Sequence, residues 1–215
     1  MFSERKGILL VLLMILVAMT CIWMIQIVNG SVPLLDQWTR ELASQAGGTF
    51  VYNIFLTITH LGSRGFLIPF VISMSIVLWV LLKNMKAPII FAFGTLLTYY
   101  LNSWIKQWIE RERPSILEEA RGVGYSFPSG HAMISIVCYG LLAYFITRKL
   151  KSKHAIICTQ VGFSLVILLI GISRYFINVH YLTDIIAGFN IGYLCLIALT
   201  YLYERLQRER YRSRD

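Results

Sequence analysis

Ionisable residues gather at three places along this chain, each at the edge of an apolar run. The first, Lys106 to Pro114, reads K-Q-W-I-E-R-E-R-P, with Arg113 just before the proline. By itself Lys106 is a residue that snorkels or pairs with Glu110, four positions on. The second, Tyr125 to His131, reads Y-S-F-P-S-G-H. Ser129 and Gly130 open a helix there, where unbonded backbone N–H groups make a ready anion site, and His131 follows at once. A plain serine cap beside a surface histidine would look the same. The third, Ser173 to Asp184, reads S-R-Y-F-I-N-V-H-Y-L-T-D and contains Arg174, His180 and Asp184. His180 and Asp184 stand four apart and share a face of any helix that has begun by then. A carboxylate so placed holds one imidazole nitrogen and leaves the other basic. A structural His–Asp pair is the simpler alternative. If the three places meet, two histidines, one aspartate, two arginines and a lysine converge. That inventory suits phosphoryl transfer: guanidinium forks and an ammonium neutralise phosphate oxygens, backbone N–H groups add donors, and a histidine can attack phosphorus.

The elements that must bring them together are apolar helices. Of the 215 residues 57% are hydrophobic and 14% charged, against about 25% charged in a soluble domain. A hydrocarbon core about 30 Å thick takes roughly 20 residues of helix. Residues 7–29, 66–82, 87–108, 131–146 and 155–173 fit, and residues 181–203 make a sixth run that Asp184 interrupts at its start. The expected fold is therefore all-α, a single polytopic domain of six transmembrane helices. The first run is too long for a signal-peptide core, and no small-x-small cleavage site follows it. Between the first two spans, residues 31–61 are too polar to cross. Leu35, Trp38, Leu42 and Ala46 recur at helical spacing, with Asp36, Gln37, Arg40, Glu41 and Gln45 on the other side. That pattern predicts an amphipathic helix lying in the membrane surface with its polar side to water, followed by a short second helix over residues 50–61.

Charge sets the orientation. With the N-terminus cytoplasmic and six crossings, the inner segments hold 13 of the chain's 20 Lys and Arg and 4 of its 11 Asp and Glu. The outer side keeps 7 of each, so the whole net charge of +9 lies inside. This is the positive-inside pattern. It accounts for the basic character without nucleic acid, and it gives the Arg-rich stretch from Arg205 to Arg214 to anionic head groups. Both termini are then cytoplasmic. The crossings follow from hydropathy alone, yet they put all three clusters on the outer face. A transporter would carry its charges at the midplane on broken, repeated helices, and this chain shows neither. Cys21, Cys138, Cys158 and Cys195 each lie in an apolar run with no metal spacing, as buried free thiols rather than a disulfide framework.

Taken together, K-x6-R-P (Lys106 to Pro114), P-S-G-H (Pro128 to His131) and S-R-x5-H-x3-D (Ser173 to Asp184) resemble the three motifs of the type-2 phosphatidic acid phosphatase superfamily, in order and without substitution over about 80 residues. Length and layout are most similar to its bacterial phosphatidylglycerophosphatase B type. The resemblance implies that His180 attacks phosphorus to form a phosphohistidine, that Asp184 orients it, and that His131 protonates the leaving oxygen and later activates water. Lys106, Arg113, Ser129, Gly130 and Arg174 would hold the phosphate. No metal and no cofactor is implied, and Glu110, Glu112, Glu118 and Glu119 read as a solvated loop face. The implied partner is a lipid phosphate in a bacterial cell membrane: phosphatidylglycerol phosphate first, undecaprenyl pyrophosphate as the alternative. The oligomeric state is not set by any of these features.

Overall fold

The structure is a computed structural model that describes residues 2–45, 47–114 and 124–212. Among the described residues it is all-helical. The helices are α1 (Phe2–Val28), α2 (Leu34–Gln45), α3 (Phe50–Ile58), α4 (Arg64–Leu82), α5 (Lys86–Ile109), α6 (Gly130–Thr147), α7 (Lys153–Phe176) and α8 (Leu182–Arg212), with a 3-10 turn, Thr59–Gly62, between α3 and α4. Five stretches are long and apolar enough to cross a membrane: Leu10–Val28, Arg64–Leu82, Gly130–Thr147, Lys153–Phe176 and Leu182–Glu209. The remaining expected span, α5, has 24 residues, a length of about 36 Å. It is more polar than the other five because Asn102, Ser103, Lys106 and Gln107 face a cavity rather than lipid.

α6 is the central post. Val137, Cys138, Leu141 and Phe145 are wholly buried, and α5, α7 and α8 pack around it. A Cβ on Gly192 of α8 would stand 2.6 Å from the Met133 carbonyl of α6, so the glycine lets the two helices cross in backbone contact. The outer helices turn Ile68, Ile72, Ile157, Val161 and Leu165 outward. Apolar faces directed away from the core around the bundle need lipid as their solvent. All four cysteines are free. Cys138 is buried and Cys195 half-buried, while Cys21 and Cys158 face outward, contrary to the expectation that all four are internal.

The segment after α1 is helical as expected, and one polar residue of α2 is turned inward. Trp38 and Leu42 are exposed, as on a helix lying in the membrane surface, and so are Gln37, Arg40, Glu41 and Gln45; Asp36 alone departs, 1% exposed against α8. The reason is pairing: the Asp36 carboxylate accepts from Arg111 Nη2 at 2.7 Å and Thr183 Oγ1 at 2.6 Å. Its apolar residues are then free to meet lipid. α3 is capped by Thr49, whose hydroxyl accepts from the Tyr52 N–H at 3.2 Å.

Candidate active site

Four helix ends meet at one end of the bundle. α5 delivers Lys106 in its last turn and stops at Glu110, whose φ of 52° is left-handed. The chain then runs on through Arg111 to Pro114. The Ser126 N–H donates to the Arg111 carbonyl at 2.8 Å and the Ser126 hydroxyl to that of Glu112 at 3.0 Å, so the two loop strands hold each other. Lys106 does not pair with Glu110. Its Nζ donates to the carbonyls of Tyr125 and of Ser126, the latter at 3.1 Å, while Glu110 accepts from the Tyr125 hydroxyl at 2.9 Å. Glu118 and Glu119 lie outside the described residues.

α6 begins at Gly130, with Ser129 as its N-cap accepting from the Ala132 N–H. The Ser129 N–H donates to the Asp184 carbonyl at 2.9 Å, and Asn102 Nδ2 donates to the Pro128 carbonyl at 3.1 Å. A Cβ on Gly130 would lie 2.8 Å from Asn102 Oδ1, so a larger residue there would have to displace the Asn102 side chain. Its N–H and that of His131, in the first helical turn, have no intrahelical acceptor. The 3-10 turn closes in from the side: a Cβ on Gly62 would stand 2.7 Å from the His131 ring.

α7 ends by burying Arg174. Nη1 donates to Thr59 Oγ1 at 2.9 Å, and Nε has no acceptor among the described residues. A buried guanidinium N–H left without a partner is costly, and an incoming anion supplies one. The chain turns at once, with the N–H groups of Val179 and His180 both donating to the Arg174 carbonyl at 3.2 Å. This places His180 with Nδ1 3.2 Å from Asp184 Oδ2 and Nε2 3.2 Å from Arg113 Nη1. A guanidinium only donates, so Nε2 carries the lone pair and Nδ1 the proton. Burial first, and then the positive charges of Lys106, Arg113, Arg174 and Arg111, push the His180 pKa well below the usual imidazole range. That direction favours the neutral ring. Arg113 also donates from Nη1 to the Val179 carbonyl at 2.7 Å and from Nε to that of Gly124 at 2.8 Å.

All eight residues expected from sequence come to this end of the bundle. Lys106, Arg113, Gly130, His131, Arg174 and His180 line one cavity of about 660 Å³. Ser129 and Asp184 stand behind it, fully buried. Two residues that the motifs do not contain complete the arrangement. Arg111 donates from Nη1 to Asp184 Oδ1 at 2.5 Å and to Thr183 Oγ1 at 2.9 Å, and from Nη2 to Asp36. It packs 3.9 Å over the Tyr181 ring. Asp36 in turn accepts the Thr183 N–H at 3.0 Å, capping the start of α8 from another helix. The only advance signal for Arg111 was its place two before Arg113. Asp36 gave none, because its partners are 75 and 147 positions away.

Trp104 and Trp108 flank Lys106 on α5, exposed and stacked at 6.0 Å. Trp residues gather at membrane–water interfaces, and this pair stands on α5 on either side of the cavity-lining Lys106. Among the described residues no cluster of His, Cys, Asp and Glu has the makings of a metal site.

Comparison with known proteins agrees with this geometry. The sequence model of the PAP2 superfamily matches residues 87–208, which contain all eight residues. Phosphatidylglycerophosphatase B of Bacillus subtilis is 30% identical over 185 residues, covering 85% of this chain and 90% of that one. The crystal structure of a transmembrane PAP2-type phosphatidylglycerolphosphate phosphatase from Bacillus subtilis superposes with a TM-score of 0.75 at 26% identity, over 87% of this chain and 96% of that one. Aquifex aeolicus LpxE shares the fold, with a TM-score of 0.59 at 22% identity over 79% of this chain and 96% of that one. With that family model over more than half of its length and a 30% identical relative over most of it, the chain belongs to the PAP2 superfamily and is a membrane lipid phosphatase.

Proposed function

We propose that the enzyme hydrolyses phosphatidylglycerol phosphate to phosphatidylglycerol and phosphate through a phosphohistidine on His180. His180 Nε2 attacks phosphorus and the bond to the lipid oxygen breaks. His131 gives that oxygen a proton. Water then attacks the phosphohistidine, losing its proton to His131, and the P–N bond breaks to return free His180 and phosphate. Asp184 keeps Nδ1–H in place and offsets the positive charge that develops on the ring. Lys106, Arg113, Arg174 and the N–H groups at the start of α6 hold the phosphate oxygens as charge shifts among them. Ser129 sets the start of that helix. None of these steps calls for a metal or a cofactor.

The observation that carries this reading is the His180 ring itself, fixed at Nδ1 by Asp184 and with the lone pair of Nε2 turned to Arg113 at the cavity. Arg113 holds Nε2 in the resting site, and a phosphate drawing Arg113 to its own oxygens would free it. Purified protein is expected to release phosphate from the lipid, and His180→Ala to release none. Undiminished release by that variant would end the proposal.

Lys86 Nζ reaches the Leu206 carbonyl at 2.5 Å, and Arg148 pairs with Glu204, both at the end of the bundle away from the cavity. This supports a basic cytoplasmic end, an outer active face and α5 as a sixth crossing, since α5 must run back along α4 after the short turn at residues 83–85. An outer face also favours the second substrate, undecaprenyl pyrophosphate. Comparing kcat/KM for the two lipids on one preparation decides between them: a strong preference for the pyrophosphate would put it ahead of phosphatidylglycerol phosphate.

A further inference from the structure

The polar cavity does not end at the bilayer. It continues into an apolar groove of about 470 Å³ between α4 and α5, and the two spaces share Gly62, Arg64, Tyr99 and Ile134. Beyond that seam the groove wall is Leu67, Ile68 and Val71 on one side and Leu96 on the other. It is a place for a hydrocarbon chain, and Arg64 stands at its head. The Arg64 guanidinium lies 4.6 Å from the centre of the Tyr99 ring. Among the described residues it has no carboxylate partner.

Its depth can be read from α5. Tyr99 precedes Lys106 by seven residues, so it lies about 10 Å nearer the middle of the membrane. It is also close to the chemistry, because Gly62, two residues before Arg64, abuts the His131 ring. Lys106, Arg113 and Arg174 already provide three cations for one reacting phosphate. Arg64 is a fourth, set on the lipid side of them, where the substrate's head must pass before its tail enters the groove. Arg64 is the first residue of α4, exposed at the cavity end of that helix, where a guanidinium can meet an anionic head group. The cation–π contact with Tyr99 keeps the guanidinium at the seam, and its N–H groups can fork onto a phosphate.

We propose that Arg64 is a subsite for a second, membrane-proximal phosphate, and that the enzyme therefore favours lipids in which the phosphate to be removed is followed by another phosphate group, as a phosphodiester or within a pyrophosphate, over lipid monophosphates. This rests on the lipid phosphatase reading and deepens it. The two substrates that compete for the site share this chemistry.

The test measures kcat/KM of purified wild type, Arg64→Gln and Arg64→Lys in neutral detergent micelles. The probes are two pairs with matched chains: farnesyl pyrophosphate with farnesyl monophosphate, and phosphatidylglycerol phosphate with phosphatidic acid. The preference within each pair is expected to fall about tenfold in Arg64→Gln, the scale of one charge-assisted contact. It should fall only about threefold in Arg64→Lys, which keeps the charge but loses the fork. The second variant keeps the test open should the first not fold. A preference that stays within about twofold in both, whatever happens to absolute rates, overturns the proposal. So does an effect that appears only when anionic lipid is added to the micelles and is equal for all substrates, since Arg64 would then bind bulk head groups. Wild type that releases phosphate from none of the four lipids would instead overturn the phosphatase reading, and the proposal with it.

Discussion

Two arginine–carboxylate clusters stand at opposite ends of the bundle, built from the same parts and placed in different solvents. At the cavity end Arg111 is shared by Asp184 and Asp36, with side chains 8% and 0% exposed, and packs on Tyr181. At the other end Arg148 meets Glu204 and Tyr144, with the ion pair 45% and 36% exposed. Both fasten α8 to its surroundings. Only the first is without water to share the charge. Taking one partner from a buried pair strands the other, whereas water and salt replace a lost partner at the surface. The cavity-end cluster is thus positioned to govern the angle of Asp184, and through it His180. The far cluster only stitches helix ends.

Substitutions rank accordingly. The largest effect belongs to Asp184→Asn, which keeps the shape but loses the charge that fixes the His180 tautomer; kcat for phosphate release should fall by about 10³ to 10⁴. Arg111→Met should come next. It leaves two buried carboxylates facing each other and should cost about 3–5 kcal/mol of stability, read as an earlier thermal transition in detergent together with a lower kcat. Asp36→Asn keeps hydrogen bonding to Thr183 and removes one charge from the clamp. About a tenfold loss in kcat with little change in KM is expected, because Asp36 is a positioning residue that does not line the cavity. Equal losses in Asp36→Asn and Asp184→Asn would mean that the clamp acts as one unit.

A smaller, directional effect concerns pH. The His180 pKa is held down by burial and by cations, so nucleophilic, neutral His180 persists well below the ordinary imidazole range. The acid limb of the kcat profile should lie there too. Arg113→Gln removes one of those charges, which raises the His180 pKa and should move the limb to higher pH. A shift to lower pH would contradict the charge account. Least of all, Glu204→Gln at the far end should alter stability by less than about 1 kcal/mol and leave lipid phosphatase activity as it was. A large loss there would erase the contrast between the clusters.

Five of the six expected spans, and the meeting of the motif residues at one end of the bundle, were legible in the sequence because each depends on neighbours along the chain. Hydropathy runs mark helices, Pro128 and Ser129 mark a helix start, and His180 with Asp184 share one turn. The burial of Asp36 in α2 was not legible. Periodicity separates Asp36 from Leu42 but does not say which side meets the protein, and the deciding partner, Arg111, lies in a loop far along the chain. Lys106 was legible as a cation of the site, while its spacing to Glu110 left a simple pair open; α5 ends there, and the carbonyls of Tyr125 and Ser126 reach Lys106 instead. Arg174 was legible as a cation but not as an unsatisfied one, since that follows only from its burial beside Thr59.

Every step of the proposed chemistry depends on His180 carrying the phosphoryl group. Purified protein mixed with lipid phosphate labelled at the terminal phosphorus and quenched within milliseconds in alkali tests this most directly. The expected outcome is a label on the chain that is stable in alkali, lost in acid and mapped to His180, absent in His180→Ala and long-lived when the His131 step is slowed by His131→Ala. Steady turnover with no label on His180, or a label on another residue, would contradict it.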